Sequence, residues 1–259
     1  MRRWCRMPTP TSSRRFRASV VVLACALALA VPLLGRYVRA VGLPGSSTFG
    51  VVVAFGDSLT EGKGYTDEPW PELLARRLRA QRASARTVVN AGIGGNRLLR
   101  DGMGPSALDR FEHDVLARRG ARWVIVLEGI NDLGFPGSVE PGAPPVTAEQ
   151  LIEAYRRLIA RAHAAGMKIY GGTLLPFEGT KSPGYFTVEK EAVRQAVNAW
   201  IRTPGSFDAV IDFDAALRDP RHPPRLLPDH DGGDHLHLSA RGHRAMAEAI
   251  DLGLFRDGG

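Results

Sequence analysis

Cysteine is nearly missing from this sequence, with two among 259 residues. Both, Cys5 and Cys25, lie close to the amino terminus, so the rest of the chain has no disulfide, thiolate nucleophile or cysteine metal ligand to offer. Acids and lysine are missing from residues 1–47, where eight arginines carry all the charge. Setting these aside leaves 26 basic residues against 27 acidic ones, so the net charge of +7 belongs to the leader and nucleic acid is not an expected partner. A long apolar run is missing as well: the stretch from Ala18 to Leu34 has 17 residues, the lower edge of what spans a bilayer. No fixed-period repeat is visible, and no Gly-x-Ser-x-Gly nucleophile elbow marks an ordinary α/β-hydrolase.

What the leader does contain is the order of a secretory signal. Arginines precede the apolar run, with small-residue sites at Ala28-Leu29-Ala30 within it and Val38-Arg39-Ala40 after it. Residues 1–40 are therefore expected to be a signal peptide or an N-terminal membrane anchor, which would deliver a secreted or cell-envelope, periplasmic protein. Ser13-Arg14-Arg15 partly matches a twin-arginine signal, and membrane association is expected only through this segment. Residues 41–48 read as a linker, and 49–256 as one folded domain.

Within that domain short apolar runs alternate with helical patterns. Strands are expected near 50–55, 87–90, 123–127, 168–173 and 209–211. Helices are expected near 70–81, 106–118, 148–165 and 188–201, with a last one beginning at Ser239. The helix after Pro145 has the clearest signals, with Thr147 and Gln150 as a capping box, a stripe of Leu151, Tyr155, Leu158 and Ile159, and a stop at Gly166. Strand and helix taking turns five times predicts an α/β fold with a parallel sheet of about five strands and helices on both faces. Three loops are expected at 133–145, 176–186 and 214–233.

The stretch from Val51 to Gly62 breaks from five apolar residues into Gly56-Asp57-Ser58-Leu59. Ser58 would sit just past the carboxyl end of a buried strand, the edge where ligand sites gather in open α/β sheets. Asp57 and Ser58 could equally cap the next helix. A serine nucleophile needs a base, and the histidines cluster late, in the run from Pro228 to His243. There Asp234 precedes His237 by three residues, a spacing that can put both side chains on one side of a turn; His235 is the competing base. His113 and His163, on predicted helices, are expected at the surface. An oxyanion needs donors, and two stretches after strands offer them: Asn90-Ala91-Gly92-Ile93-Gly94-Gly95-Asn96 and Gly129-Ile130-Asn131-Asp132. The rival is a metal site, since Asp229, His230, Asp231, Asp234, His235 and His237 are all possible ligands.

Gly56-Asp57-Ser58-Leu59, the glycine loop, Gly129-x-Asn131-Asp132 and Asp234-x-x-His237, in this order, resemble the four blocks of the GDSL, or SGNH, hydrolase family. The resemblance spans about residues 50–250. It implies a flavodoxin-like three-layer α/β/α sandwich and a serine ester hydrolase that uses neither cofactor nor metal. Carried over by position, it makes Ser58 the nucleophile, His237 the base and Asp234 its orienter. The Ser58 N–H, Gly95 N–H and Asn131 side chain would form the oxyanion hole, with Gly95 preferred to Gly92 and Gly94. Asp57 would be structural. The substrate is expected to be a small-molecule, glycan or lipid ester. Phe135, Phe177, Tyr185 and Phe186, the large apolar residues of two loops, suggest a small or shallow acyl site. A thioesterase or lysophospholipase of the same family, and a glycan-binding relative without activity, are the remaining alternatives.

Overall fold

The run Gly50–Gly56 forms β1, buried throughout except at half-buried Val51, as a strand covered on both faces must be. In this computed structural model residues 50–62, 66–81 and 86–256 are described, so the signal or anchor expected over 1–40 and the linker over 41–48 lie outside the described residues. Among the described residues no helix is long and apolar enough to cross a membrane.

Four further parallel strands complete the main sheet: β2 (Arg86–Gly92), β3 (Ala121–Leu127), β4 (Lys168–Gly172) and β5 (Ala209–Ile211), in the order β2-β1-β3-β4-β5. Chain direction across the sheet therefore reverses at β1/β3, and ligand sites of doubly wound sheets lie at the carboxyl ends there. Among the described residues eight α-helices alternate with the strands: α1 (Ser58–Glu61), α2 (Trp70–Ala80), α3 (Ala107–Phe111), α4 (Ile130–Gly134), α5 (Ala148–Ala164), α6 (Val188–Arg202), α7 (Phe213–Leu217) and α8 (Ala240–Ala249). Helix α8 packs against α2 and α7, and α2 against β2; α5 and α6 pack together, with α3 beside α5 and α4 beside α6. The result is the flavodoxin-like three-layer α/β/α sandwich.

The expected strands and long helices form with small shifts at their ends. Thr147 Oγ1 accepts from Gln150 N–H at 3.3 Å and Gln150 Oε1 from Thr147 N–H at 2.9 Å, closing the capping box of α5. Leu151, Tyr155 and Leu158 bury the stripe below it, with Ile159 at its edge. Two expectations are corrected. The helix expected over 106–118 stays α-helical only to Phe111 and then widens into a π turn, Glu112–Leu116, a change of period that residue pattern does not signal. The loop expected over 214–233 is folded. Asp212 caps α7, then β6 (Arg218–Asp219) and β7 (His222–Leu226) form an antiparallel pair, and a 3-10 turn follows at Pro228–His230. The cause is buried charge: Asp214, fully enclosed, is held by Arg194, Arg202 and Arg218, so a segment that reads as polar and proline-rich is tied to the core.

Close approach of β2 to α1 fixes where Ser58 sits. A side chain at Gly92 would put its Cβ 2.2 Å from Glu61 N and 2.7 Å from Glu61 Cα, both backbone atoms that cannot step aside. Gly92→Ala should therefore cost about 1–3 kcal/mol through overpacking, whereas Gly142→Ala, with nothing within 4 Å, should leave stability unchanged. Urea denaturation of the two variants checks this, and a Gly92→Ala protein as stable as the parent would contradict the close approach.

Candidate active site

The site begins at the carboxyl end of β1. Asp57 Oδ1 accepts the Leu59 N–H at 2.9 Å and caps α1, and Ser58 is the first residue of that helix. Capping and presentation of the hydroxyl are thus one arrangement, with Asp57 as cap and Ser58 carried at the helix start. Ser58 Oγ lies 3.0 Å from His237 Nε2, between residues far apart in the chain. On the other side of the ring, His237 Nδ1 is 2.7 Å from Asp234 Oδ2.

The turn from Asp231 to His237 holds that pair. Asp234 Oδ1 accepts from Leu236 N–H at 3.0 Å and from His237 N–H at 2.8 Å, while Gly232 N–H donates to His237 O at 2.8 Å. Partial burial pushes the Asp234 carboxyl up. The bonds from the His237 ring and from the N–H groups of His237 and Leu236 outweigh that and hold it below the ordinary 3.8, so it stays ionised beside the imidazole. His235 takes another path. It adopts φ 64°, and its ring pairs with Asp231, whose Oδ1 also accepts the N–H groups of Gly233 and His235. Five of the six expected metal-ligand candidates are likewise held in pairs, Asp229 with Arg241, Asp231 with His235 and Asp234 with His237, while His230 Nδ1 is buried without a hydrogen-bond partner. Among the described residues no three His, Cys, Asp or Glu side chains converge as ligands would. His113 and His163 lie exposed against Asp114 and Asp208.

The glycine loop joins this edge through Ile93 N–H, which donates to Gly56 O at 3.0 Å. Gly92 N–H is committed to Asn90 Oδ1 at 3.0 Å. Gly95 adopts φ +70°, a conformation open to glycine, and precedes Asn96. Asn131, buried in α4, donates from Nδ2 to Asn96 O at 2.8 Å, and its Oδ1 accepts the Tyr185 hydroxyl at 2.7 Å. Those two bonds settle the orientation of the amide, because its carbonyl oxygen is held by a hydroxyl donor and its nitrogen by a carbonyl.

Of the four loop aromatics, Phe135, Phe177 and Tyr185 are buried, and they meet one another and half-buried Phe186 edge to face, so they brace the loops around Asn131. The exposed apolar side chain beside the glycine loop is Met103, 67% exposed, whose Sδ lies 2.7 Å from where a Cβ on Gly95 would stand.

Beneath the hydroxyl lies a set of buried ionisable groups, of which motif reading found Asp57 and Asp132 and missed Glu128 and Arg110. Asp57, Glu128 and Asp132 are nearly or wholly enclosed, with Arg110 among them. Burial pushes the Asp57 carboxyl up to about 7, against the Leu59 N–H and Arg110, and its Oδ2 has no hydrogen-bond partner. Burial likewise raises Glu128 well above its ordinary value, helped by Asp57, and Glu128 Oε2 is also unpartnered. Asp132 rises by burial to about 6, although it accepts Leu98 N–H at 2.6 Å and Leu99 N–H at 3.0 Å. Glu128 could have been noticed as a charged residue closing an apolar strand; for Arg110 no local signal existed.

Comparison with known proteins falls on this same region. The family model described as GDSL-like lipase/acylhydrolase matches residues 54–245. An acetylxylan esterase from Geobacillus stearothermophilus is similar at 22% identity and TM-score 0.58, over 78% of this chain and 94% of that one. A GDSL-like lipase from Bacteroides thetaiotaomicron is similar at 18% identity and TM-score 0.56, over 83% and 94%. An α/β hydrolase enzyme from the metagenome of Lake Arreo is similar at 20% identity and TM-score 0.57, over 79% and 95%. These likenesses show the fold. No curated protein sequence matches the chain significantly.

The buried acids make a pH prediction. A carboxyl raised from 3.8 to about 7 keeps its proton in the folded state after the unfolded chain has released it. Its stabilising contribution is complete below pH 3.8 and is lost as pH rises through 7. Asp57→Asn keeps an Oδ1 cap without the charge, so between pH 4 and 7 the variant should gain on the parent by up to about 1.4 kcal/mol per pH unit. Thermal denaturation across that range checks it, and a difference independent of pH would show that Asp57 does not carry the proton.

Proposed function

The chain belongs to the GDSL-like lipase/acylhydrolase family of ester hydrolases, and from that premise we propose an exported serine esterase that works through an acyl-enzyme on Ser58, on short-acyl or acetylated carbohydrate or lipid esters. One observation carries the reading: Ser58 Oγ, His237 and Asp234 form a continuous hydrogen-bonded relay, 3.0 Å at the serine and 2.7 Å at the carboxylate.

Each group has a task in that relay. His237 Nε2 takes the hydroxyl proton as Ser58 Oγ attacks the ester carbonyl, while ionised Asp234 holds the Nδ1 proton and stabilises the imidazolium. The oxyanion rests on the N–H groups of Ser58 and Gly95 and on the Asn131 amide. One hydrogen of that amide is bound to Asn96 O, which leaves the other as donor. His237 then gives its proton to the departing alcohol and activates water, which releases the acid and restores Ser58. Support for an acetylated carbohydrate comes from the similar acetylxylan esterase, and support for export from the arginine-led apolar run at the amino terminus.

Ser58→Ala and His237→Ala should each lower kcat by about 10³-fold or more, and Asn131→Ala by about 10²–10³-fold. His235→Ala should stay near the parent rate, because its ring faces Asp231. Steady-state hydrolysis of p-nitrophenyl esters from acetate to palmitate tests both residues and substrate. Full activity in Ser58→Ala would overturn the mechanism, and a long-chain preference would overturn only the short-acyl assignment.

A further inference from the structure

Arg110 occupies an unusual position for a charged side chain. Its side chain is 3% exposed, and it comes from α3, an element that holds none of the proposed catalytic groups. Yet all five guanidinium hydrogens have acceptors. Nε donates to Asn96 Oδ1 at 2.8 Å; Nη1 donates to Ala91 O at 2.8 Å and Asp114 Oδ2 at 3.0 Å; Nη2 donates to Gly56 O and Glu128 Oε1, both at 2.9 Å. Its carbon lies 4.0 Å from the centre of the Phe55 ring, a cation–π contact from below.

Three of the five acceptors share one property. Gly56 closes β1, Ala91 lies at the end of β2, and Glu128 directly follows β3. Immediately beyond these three points the chain presents Ser58, Gly95 and Asn131, the three proposed oxyanion donors. Asn96 adds a second tie, since its side chain binds Arg110 while its carbonyl accepts Asn131 Nδ2 at 2.8 Å. A buried ion pair is seldom the most stable filling for a core, and apolar residues of similar volume often do as well or better. A rigid planar fork with five donors does what no apolar residue can, by setting distances between three strand ends at once.

We propose that Arg110 is the positioning residue of the oxyanion hole, holding the carboxyl ends of β1, β2 and β3 at the spacing that aims Ser58 N–H, Gly95 N–H and Asn131 Nδ2 at one point. This inference rests on the serine esterase reading above. It predicts a loss confined to the transition state, because a substrate carbonyl gains little from the hole before it becomes an oxyanion.

The test is a double-mutant cycle on purified full-length protein with p-nitrophenyl acetate, with rates expressed per active site titrated by a fluorophosphonate. Arg110→Lys keeps the charge but has at most three donors on a single nitrogen. It should lower kcat by about 10–100-fold at unchanged KM, and leave the acidic limb of the pH profile where it was, since the His237–Asp234 pair is untouched. Combined with Asn131→Ala it should lose little beyond Asn131→Ala alone, because both act on the same donor set. Asn96→Ala cuts only one tie and leaves the other Arg110 bonds in place. It should show a smaller loss of the same kind, again non-additive with Asn131→Ala, and it decides the matter if Arg110→Lys does not fold. Additive losses, a raised KM, or a parent-like kcat in Arg110→Lys would overturn the inference while the esterase reading stands. Full activity in Asn131→Ala or Ser58→Ala would instead overturn the reading beneath it.

Discussion

The contact between Ser58 Oγ and His237 Nε2 sets the terms for the rest of the molecule. Its partners come from the first described strand end and from the turn before the last long helix, so it exists only once the whole sheet has formed. A parallel sheet supplies that long-range closure, because every strand delivers its successor loop to the same edge. At that edge a hydroxyl, a glycine loop, an amide and an acid–base turn arrive from four separate segments, and no local structure could gather them.

Most of the fold was legible because periodicity and chain punctuation report burial directly. Strand β1 reads as apolar, α5 as capped and striped, and β5 matches its expected bounds of 209–211. The site was legible for a different reason. Ser58 and Asn131 sit just past strands, where polar residues after apolar runs stand out, and Asp234 and His237 stand in a run rich in Asp and His ahead of the last long helix. What stayed hidden is long-range and electrostatic. The segment after β5 reads as a polar loop because two of the three arginines that enclose Asp214, Arg194 and Arg202, reach it from α6. The loop aromatics read as a substrate wall because sequence does not reveal that Phe177 and Tyr185 turn inward.

Arg110 shows the same blindness most sharply. On its own helix it looks like one more surface arginine, beside Asp109 and Glu112. Its burial follows from acceptors contributed by β1, β2, the glycine loop and the residue after β3. Burial raises all three acids around it, which lowers the negative charge held beneath the proposed oxyanion hole.

The turn that carries Asp234 and His237 has one more implication. Its two proposed catalytic side chains are bonded to each other and to their own backbone within a few residues, whereas Ser58 reaches His237 across the fold. Acid and base are therefore set against each other by their own turn, and Lys181 N–H, which donates to Asp234 O at 3.2 Å, ties that turn to the loop before α6, so the spacing of acid and base is fixed locally while their placement against Ser58 is fixed by the fold.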